Sequence, residues 1–124
     1  MKIDEITQAS LLYDFYGQLL SKRQGQVMEL YHEENLSLAE IAEEFGISRQ
    51  GVHDALKNAE RALSEYEEKL GLVAKFRRSS DAVRQIDIMI DKTIELLENG
   101  GDGSAEKASE DLKKVRHIID ELEE

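Results

Sequence analysis

The sequence predicts an all-α protein: a helix-turn-helix domain followed by an antiparallel helical hairpin. Three observations predict it. The 124 residues contain no proline, so helices can run long and tight turns must rest on glycine. Apolar residues recur at alternating three- and four-residue spacings in each segment between turns, the period of one helix face. Serine stands three positions before Gln or Glu at Ser21/Gln24 and Ser37/Glu40, the spacing of a capping box that opens a helix.

Residues 5–20 place Ile6, Ala9, Leu12, Phe15, Tyr16 and Leu19 on one face, which predicts a core helix. Tyr13 flanks that stripe, and a small pocket lined by Tyr13 and Tyr16 is the alternative to aromatic packing. Residues 21–34 predict a second helix, with Val27, Met28, Leu30 and Tyr31 as its buried side and Glu33, Glu34 and Asn35 at its end. Gly25 in its first turn costs about 1 kcal/mol of helix propensity against alanine.

The stretch LSLAEIAEEFGISRQGVHDALKNAERAL, residues 36–63, carries the main motif. Ser37 caps a short helix whose Leu38, Ile41, Ala42 and Phe45 share a face, and Gly46 ends it in a left-handed turn. Ser48 caps a second helix with Val52, Ala55, Leu56, Ala59 and Leu63 inward. Two helices across a tight glycine turn make a helix-turn-helix, whose second helix is the one that enters a nucleic-acid groove. The helical pattern continues through Tyr66, Leu70, Val73 and Phe76, with Gly71 as an interruption or bend.

Ser79, Ser80 and Asp81 read as a new helix start, dividing the chain into a helix-turn-helix domain (1–78) and an acidic hairpin (79–124). In the hairpin Val83, Ile86, Ile90, Ile94 and Leu97 form one stripe, and Ala108, Leu112, Val115, Ile119 and Leu122 the other. Residues 99–104, NGGDGS, form the turn between them. They lack the lysine of a phosphate loop and the acidic residues of a calcium loop. Ile88, Met89 and Ile118 lie off the stripes, so the hairpin has more apolar surface than it buries alone. The expected use of the excess is a homodimer, or packing on the first domain.

Composition narrows the function. There is no cysteine, which excludes disulfides and thiolate metal sites. His32, His53 and His117 lie on three separate segments at no metal-ligand spacing. No nucleophile or dinucleotide motif appears, so no catalytic residue, metal or cofactor is expected and the chain is read as a non-enzyme. No run approaches the roughly 20 apolar residues of a membrane helix, and MKIDEITQAS at the start has no apolar core segment, so it is not expected to act as a signal peptide. The expected location is the cytoplasm, with no membrane insertion.

The net charge is −11. Residues 1–36 carry three basic and six acidic groups, 37–78 seven and eight, and 79–124 six and thirteen. The motif is therefore nearly neutral and the last third strongly acidic. Each phosphate contact needs a local cation, so tight nonspecific DNA binding is not expected. With the inward stripe removed, the second helix of the motif shows Arg49, Gln50, His53, Asp54, Lys57, Asn58 and Arg61. Arginine forks onto guanine, and glutamine or asparagine onto adenine. Lys57 and Arg61, further along, suit phosphate. The candidate nucleic-acid contacts are Arg49, Gln50, His53, Lys57, Asn58 and Arg61. Asp54 opposes such contact. Lys75, Arg77 and Arg78 form a basic knot that either meets phosphate or is simply solvated.

Two resemblances follow from these residues. Leu20–Leu63 resembles region four of bacterial sigma factors, through LSKRQ at 20–24 and LSLAEIAEEFGISRQ at 36–50. Residues 10–78 more closely resemble the small YlxM-like proteins of Gram-positive bacteria, through LYDFYGQLLSKRQ, ELY, SLAEIAEEFGISRQGVHDALK and YEEKLGL. Members of that family are usually encoded beside genes of the signal recognition particle and its receptor. The resemblance implies a helix-turn-helix accessory or regulatory protein of that targeting pathway, with DNA or the particle's RNA or GTPase as partner. The alternatives are a DNA-binding transcriptional regulator and a protein-docking adaptor.

Overall fold

The structure is a computed structural model that describes residues 2–123, with side chains from Gln8 onward. Those residues form six α-helices and no strand: α1 Lys2–Tyr16, α2 Lys22–Met28, α3 Leu38–Phe45, α4 Arg49–Leu70, α5 Leu72–Asn99 and α6 Ser104–Leu122. A 3-10 turn at Gly17–Leu19 follows α1, and a π-helical turn at Glu29–Glu33 follows α2. The fold is all-α, as the periodicity predicts. Two compact units divide between Val73 and Ala74.

In the first unit, α4 packs against α1, α2 and α3. Val27 and Met28 of α2, Ile41 and Ala42 of α3, and Val52, Leu56, Ala59 and Leu63 of α4 are buried together. Burying each of the larger ones contributes about 1.5–3 kcal/mol. Ala59 is fully buried, and its small side chain lets the helices come close. Both capping boxes form. Ser21 Oγ accepts from the Gln24 N–H and Ser37 Oγ from the Glu40 N–H, while the Gln24 and Glu40 side chains accept from the cap N–H groups. Gly46 ends α3 at φ 66°, the left-handed conformation glycine takes at least cost.

The ends of α1 and α2 differ from the expected ones. The helix expected over 5–20 stops at Tyr16, and Leu11 packs on the core while Phe15 and Leu19 are exposed. Ile6, also expected on that face, lies outside the described side chains. After α2 the backbone widens into the π turn, which rotates Tyr31 outward to 40% exposure, so Tyr31 is not a core residue. Asn35 then takes a left-handed φ of 56° and closes the turn.

Gly71, at φ 64°, ends α4, and α5 starts at once with Leu72. The helix start expected at Ser79–Asp81 is absent, because α5 runs through it without a break. What starts α5 is a pair of side chains, one remote and one in the last turn of α4. The Leu72 N–H donates to the Tyr16 hydroxyl at 3.0 Å, and the Val73 N–H donates to Glu67 Oε1 at 2.9 Å. The Tyr16 hydroxyl itself donates to the same Glu67 oxygen at 2.5 Å. Tyr16 is 1% exposed and its hydroxyl is committed to this cap, so it does not line the alternative pocket.

In the second unit α5 and α6 run antiparallel. Leu97 lines one concavity with Ala105 and Leu112, and Ala82 lines another with Ile118 and Leu122. The seam keeps Ile86, Ala108 and Val115 of the predicted stripes and differs from them at the other positions, on α5 by one residue. Thr93, Ala108 and Val115 are buried, and Met89, Leu96 and Ile118 are half-buried. Val83, Ile90, Ile94, Leu97, Leu112 and Ile119 are exposed. Thr93 can stand in the seam because its hydroxyl is satisfied within its own helix, donating to the Met89 carbonyl at 2.8 Å.

Candidate nucleic-acid interface

The turn between α3 and α4 is short because three local devices meet in it. Gly46 reverses the chain, Ile47 packs against the core, and Ser48 Oγ accepts from the Gly51 N–H at 2.9 Å to start α4. Gly51 leaves room for that hydroxyl, since a Cβ there would stand 3.2 Å from it. The buried stripe Val52, Leu56, Ala59 and Leu63 fixes which side of α4 faces the core. Gln50, His53, Lys57, Asn58 and Arg61 occupy the opposite side, and Arg49 stands exposed in the first turn.

The charges on this side are partly tied to one another. The Gln50 amide donates to Asp54 Oδ1 at 2.9 Å, and His53 Nδ1 lies 3.7 Å from the same oxygen. Lys57 Nζ is 3.8 Å from Glu60 Oε2. Arg61 donates to Asn58 Oδ1 at 3.4 Å. Arg49 has no hydrogen bond or ion pair among the described residues. These contacts are solvent-exposed and individually weak, so a phosphate or base edge can replace them.

Elsewhere in the first unit several exposed groups meet in contacts that the sequence alone does not reveal. Arg23 lies over the Phe45 ring, 4.7 Å from its centroid. Exposed His32 meets Tyr31 edge-on at 5.1 Å and stacks on Tyr13 at 6.4 Å. Burial first, then the carboxylates of Glu33, Glu29 and Asp14, raises the Tyr13 phenol above its ordinary 10.0. The neutral phenol is the form present at physiological pH. The basic knot falls in the second unit: Lys75 and Arg78 line a cleft of about 520 Å³ together with Asp81 and Glu121. Acid and base are therefore mixed there. Among the described residues no three His, Asp or Glu side chains are grouped to hold a metal ion, and no helix is long and apolar enough to cross a membrane.

Residues 3–99 match the family model described as "UPF0122: Putative helix-turn-helix protein, YlxM / p13 like". The chain belongs to this family. It is 45% identical to a UPF0122 protein of Desulforamulus reducens over 118 residues, 95% of this chain and 92% of that one. A UPF0122 protein of Halalkalibacterium halodurans is 39% identical over 121 residues, 98% and 99% of the two chains. One from Acetivibrio thermocellus is 41% identical over 123 residues, 98% and 97%. The family description names the helix-turn-helix built here by α3 and α4. These UPF0122 relatives span the acidic hairpin as well, so both units belong to the family's chain length.

Proposed function

We propose that the chain is a nucleic-acid-binding accessory protein of the signal recognition particle pathway, acting in the cytoplasm by binding and not by catalysis. The observation that carries the nucleic-acid part is the exposed side of α4. A capped, rigidly packed helix presents Arg49, Gln50, His53, Lys57, Asn58 and Arg61 away from the core, in the arrangement by which helix-turn-helix proteins read a groove. The pathway rests on the resemblance to YlxM-like proteins alone. Helix-turn-helix readers commonly work in pairs, each helix on its own half-site, and the functional unit is proposed as a homodimer. A transcriptional regulator that reads duplex DNA is the same interface with another target.

A second reading is favoured by one specific observation. Asp54 holds Gln50 and lies beside His53, and Glu60 lies beside Lys57. A face so neutralised suits a protein-docking adaptor. Binding of labelled particle RNA and of duplex DNA at two salt concentrations separates the readings. Nucleic-acid contact through three to four cations predicts an affinity that falls with a log–log slope of about −3, and loss of binding in Arg49→Ala with Lys57→Ala. Retention of full binding in that double variant removes α4 as the contact. Salt-insensitive capture of a particle protein supports the adaptor.

A further inference from the structure

The second unit keeps an apolar face that its own hairpin does not cover. Val83, Ile90, Ile94 and Leu97 on α5 are between 39% and 59% exposed, and Leu112 and Ile119 on α6 are 48% and 43% exposed. Each follows a seam position by one residue: Ile90 after Met89, Ile94 after Thr93, Leu97 after Leu96, Leu112 after Asp111 and Ile119 after Ile118. One residue is a turn of about 100°. Because the helices are antiparallel, the same turn on each brings both stripes to one side of the hairpin. The shallow concavity on that side agrees, since Leu97, Ala105 and Leu112 line it over Ala108, with Lys113 and Arg116 at its edge.

The next turn outward is charged, and the two helices differ. The α5 flank of the face carries Asp87, Asp91 and Glu98, and the α6 flank carries Glu106, Lys113, Arg116 and Asp120. Asp87, Asp91, Lys113 and Arg116 have no ion pair among the described residues, although Asp81, Arg84, Lys107 and Asp111 nearby do. The pairing of Leu97 with Ala105–Leu112 and of Ala82 with Ile118–Leu122 sets the levels along the hairpin. Asp91 then stands level with Lys113, and Asp87 with Arg116.

We propose that this face is the interface of a homodimer, two hairpins packed face to face as a four-helix bundle, with α5 of each chain beside the partner's α6. A two-fold axis along the bundle puts Asp91 against the partner's Lys113 and Asp87 against the partner's Arg116. Six large apolar side chains present on the order of 500 Å² per copy, the size of the largest and often functional patch of a monomer. From these six alone two copies bury roughly 1,000 Å², the lower bound of a biological interface, and the flanking side chains add to it. Two matched levels, Asp91 with Lys113 and Asp87 with Arg116, set opposite charges together and favour a second copy over a basic partner, while Glu98 and Glu106 meet as like charges only at the turn end of the hairpin. The interface rests on the proposed function only for what the pairing serves; its own grounds lie in residues of the second unit.

Sedimentation of the full chain without nucleic acid tests it. The expected mass at tens of micromolar is twice the 14.1 kDa of one chain. A monomer there overturns the interface. Asp87→Lys with Asp91→Lys, and Lys113→Glu with Arg116→Glu, each set like charges against each other across the axis. Each variant is expected to weaken the dimer at least tenfold with circular dichroism unchanged. An equimolar mixture of the two restores opposite charges only between unlike chains, and is expected to recover the dimer. A mixture that stays monomeric overturns the α5-beside-α6 arrangement, and a dimer that survives Ile94→Asp with Leu112→Asp overturns the face. A monomer that binds nucleic acid overturns the interface alone. A dimer that binds none overturns the proposed function alone.

Discussion

Tyr16 shows what a single residue holds in this fold. Its ring is buried, and its hydroxyl joins Glu67 to the first N–H of α5. Tyr16→Phe keeps the ring and removes both bonds of the hydroxyl, leaving the Leu72 N–H without its acceptor. A melting temperature lower by about 5 °C is expected. Burial, followed by the hydrogen bond to Glu67, raises the Tyr16 phenol above its ordinary 10.0. A raised phenol favours the folded state while it is neutral. Its contribution is fully present below pH 10 and is lost as pH rises through the folded value. The stability gap between wild type and Tyr16→Phe, measured by denaturant from pH 8 to 12, should therefore close at the alkaline end. A constant gap would mean that the hydroxyl does not carry the difference. Asp54 is the corresponding residue of the candidate interface. Asp54→Asn removes the carboxylate that holds Gln50 and lies beside His53, and nucleic-acid affinity should rise several-fold in a gel-shift titration. A fall would mean that the carboxylate itself meets a base amino group.

Helix boundaries were legible where a local device sets them and hidden where a remote one does. Ser37 with Glu40, Gly46 and Ser48 lie within a few residues of the ends they make, so the spacing alone revealed α3 and the start of α4. The start of α5 was hidden because Tyr16 lies 56 residues away from the N–H it accepts. In the hairpin Ile86, Ala108 and Val115 were legible in the periodicity, while Thr93 was hidden because a polar side chain that bonds within its own helix carries no apolar signal. The exposed side of α4 was legible, but the tie between Gln50 and Asp54 that occupies it was not weighed, although four residues is the spacing of such a pair. The element scale carries its own prediction. Gly71→Ala strains a φ of 64° at a cost of about 1–2 kcal/mol. One continuous helix through residue 71 would escape the strain, but it would pull Leu72 and Val73 off Tyr16 and Glu67. The expected outcome is a lower melting temperature with unchanged helix content by circular dichroism. A rise in helicity at constant stability would show that the Tyr16–Glu67 cap is weaker than the strain.

At the scale of the whole molecule the argument turns on charge. The chain carries −11, and residues 79–124 hold thirteen acidic against six basic groups. Arg49 and Lys57 attract a nucleic acid locally, while the net charge of the whole chain repels it. The two differ in range. Contact with phosphate acts over a few ångström, while the field of the acidic helices reaches about 10 Å at 0.1 M salt and about 30 Å at 0.01 M. Glu95, Glu98, Glu106 and Glu110 are exposed and lack ion pairs among the described residues. Replacing all four by glutamine changes no contact on α4 and leaves Asp87, Asp91, Lys113 and Arg116 of the proposed dimer in place. If the acidic helices repel the nucleic acid, this variant should bind several-fold tighter at about 0.02 M salt and equally at about 0.3 M, through a faster association rate. Stopped-flow association at the two salt concentrations measures it. Equal rates at both would mean that the acidity is not felt at α4, which would leave the local ties of Asp54 and Glu60 as what limits affinity. Slower association in the variant would mean that the acidic helices themselves attract the partner, the behaviour of an adaptor that docks a basic protein surface.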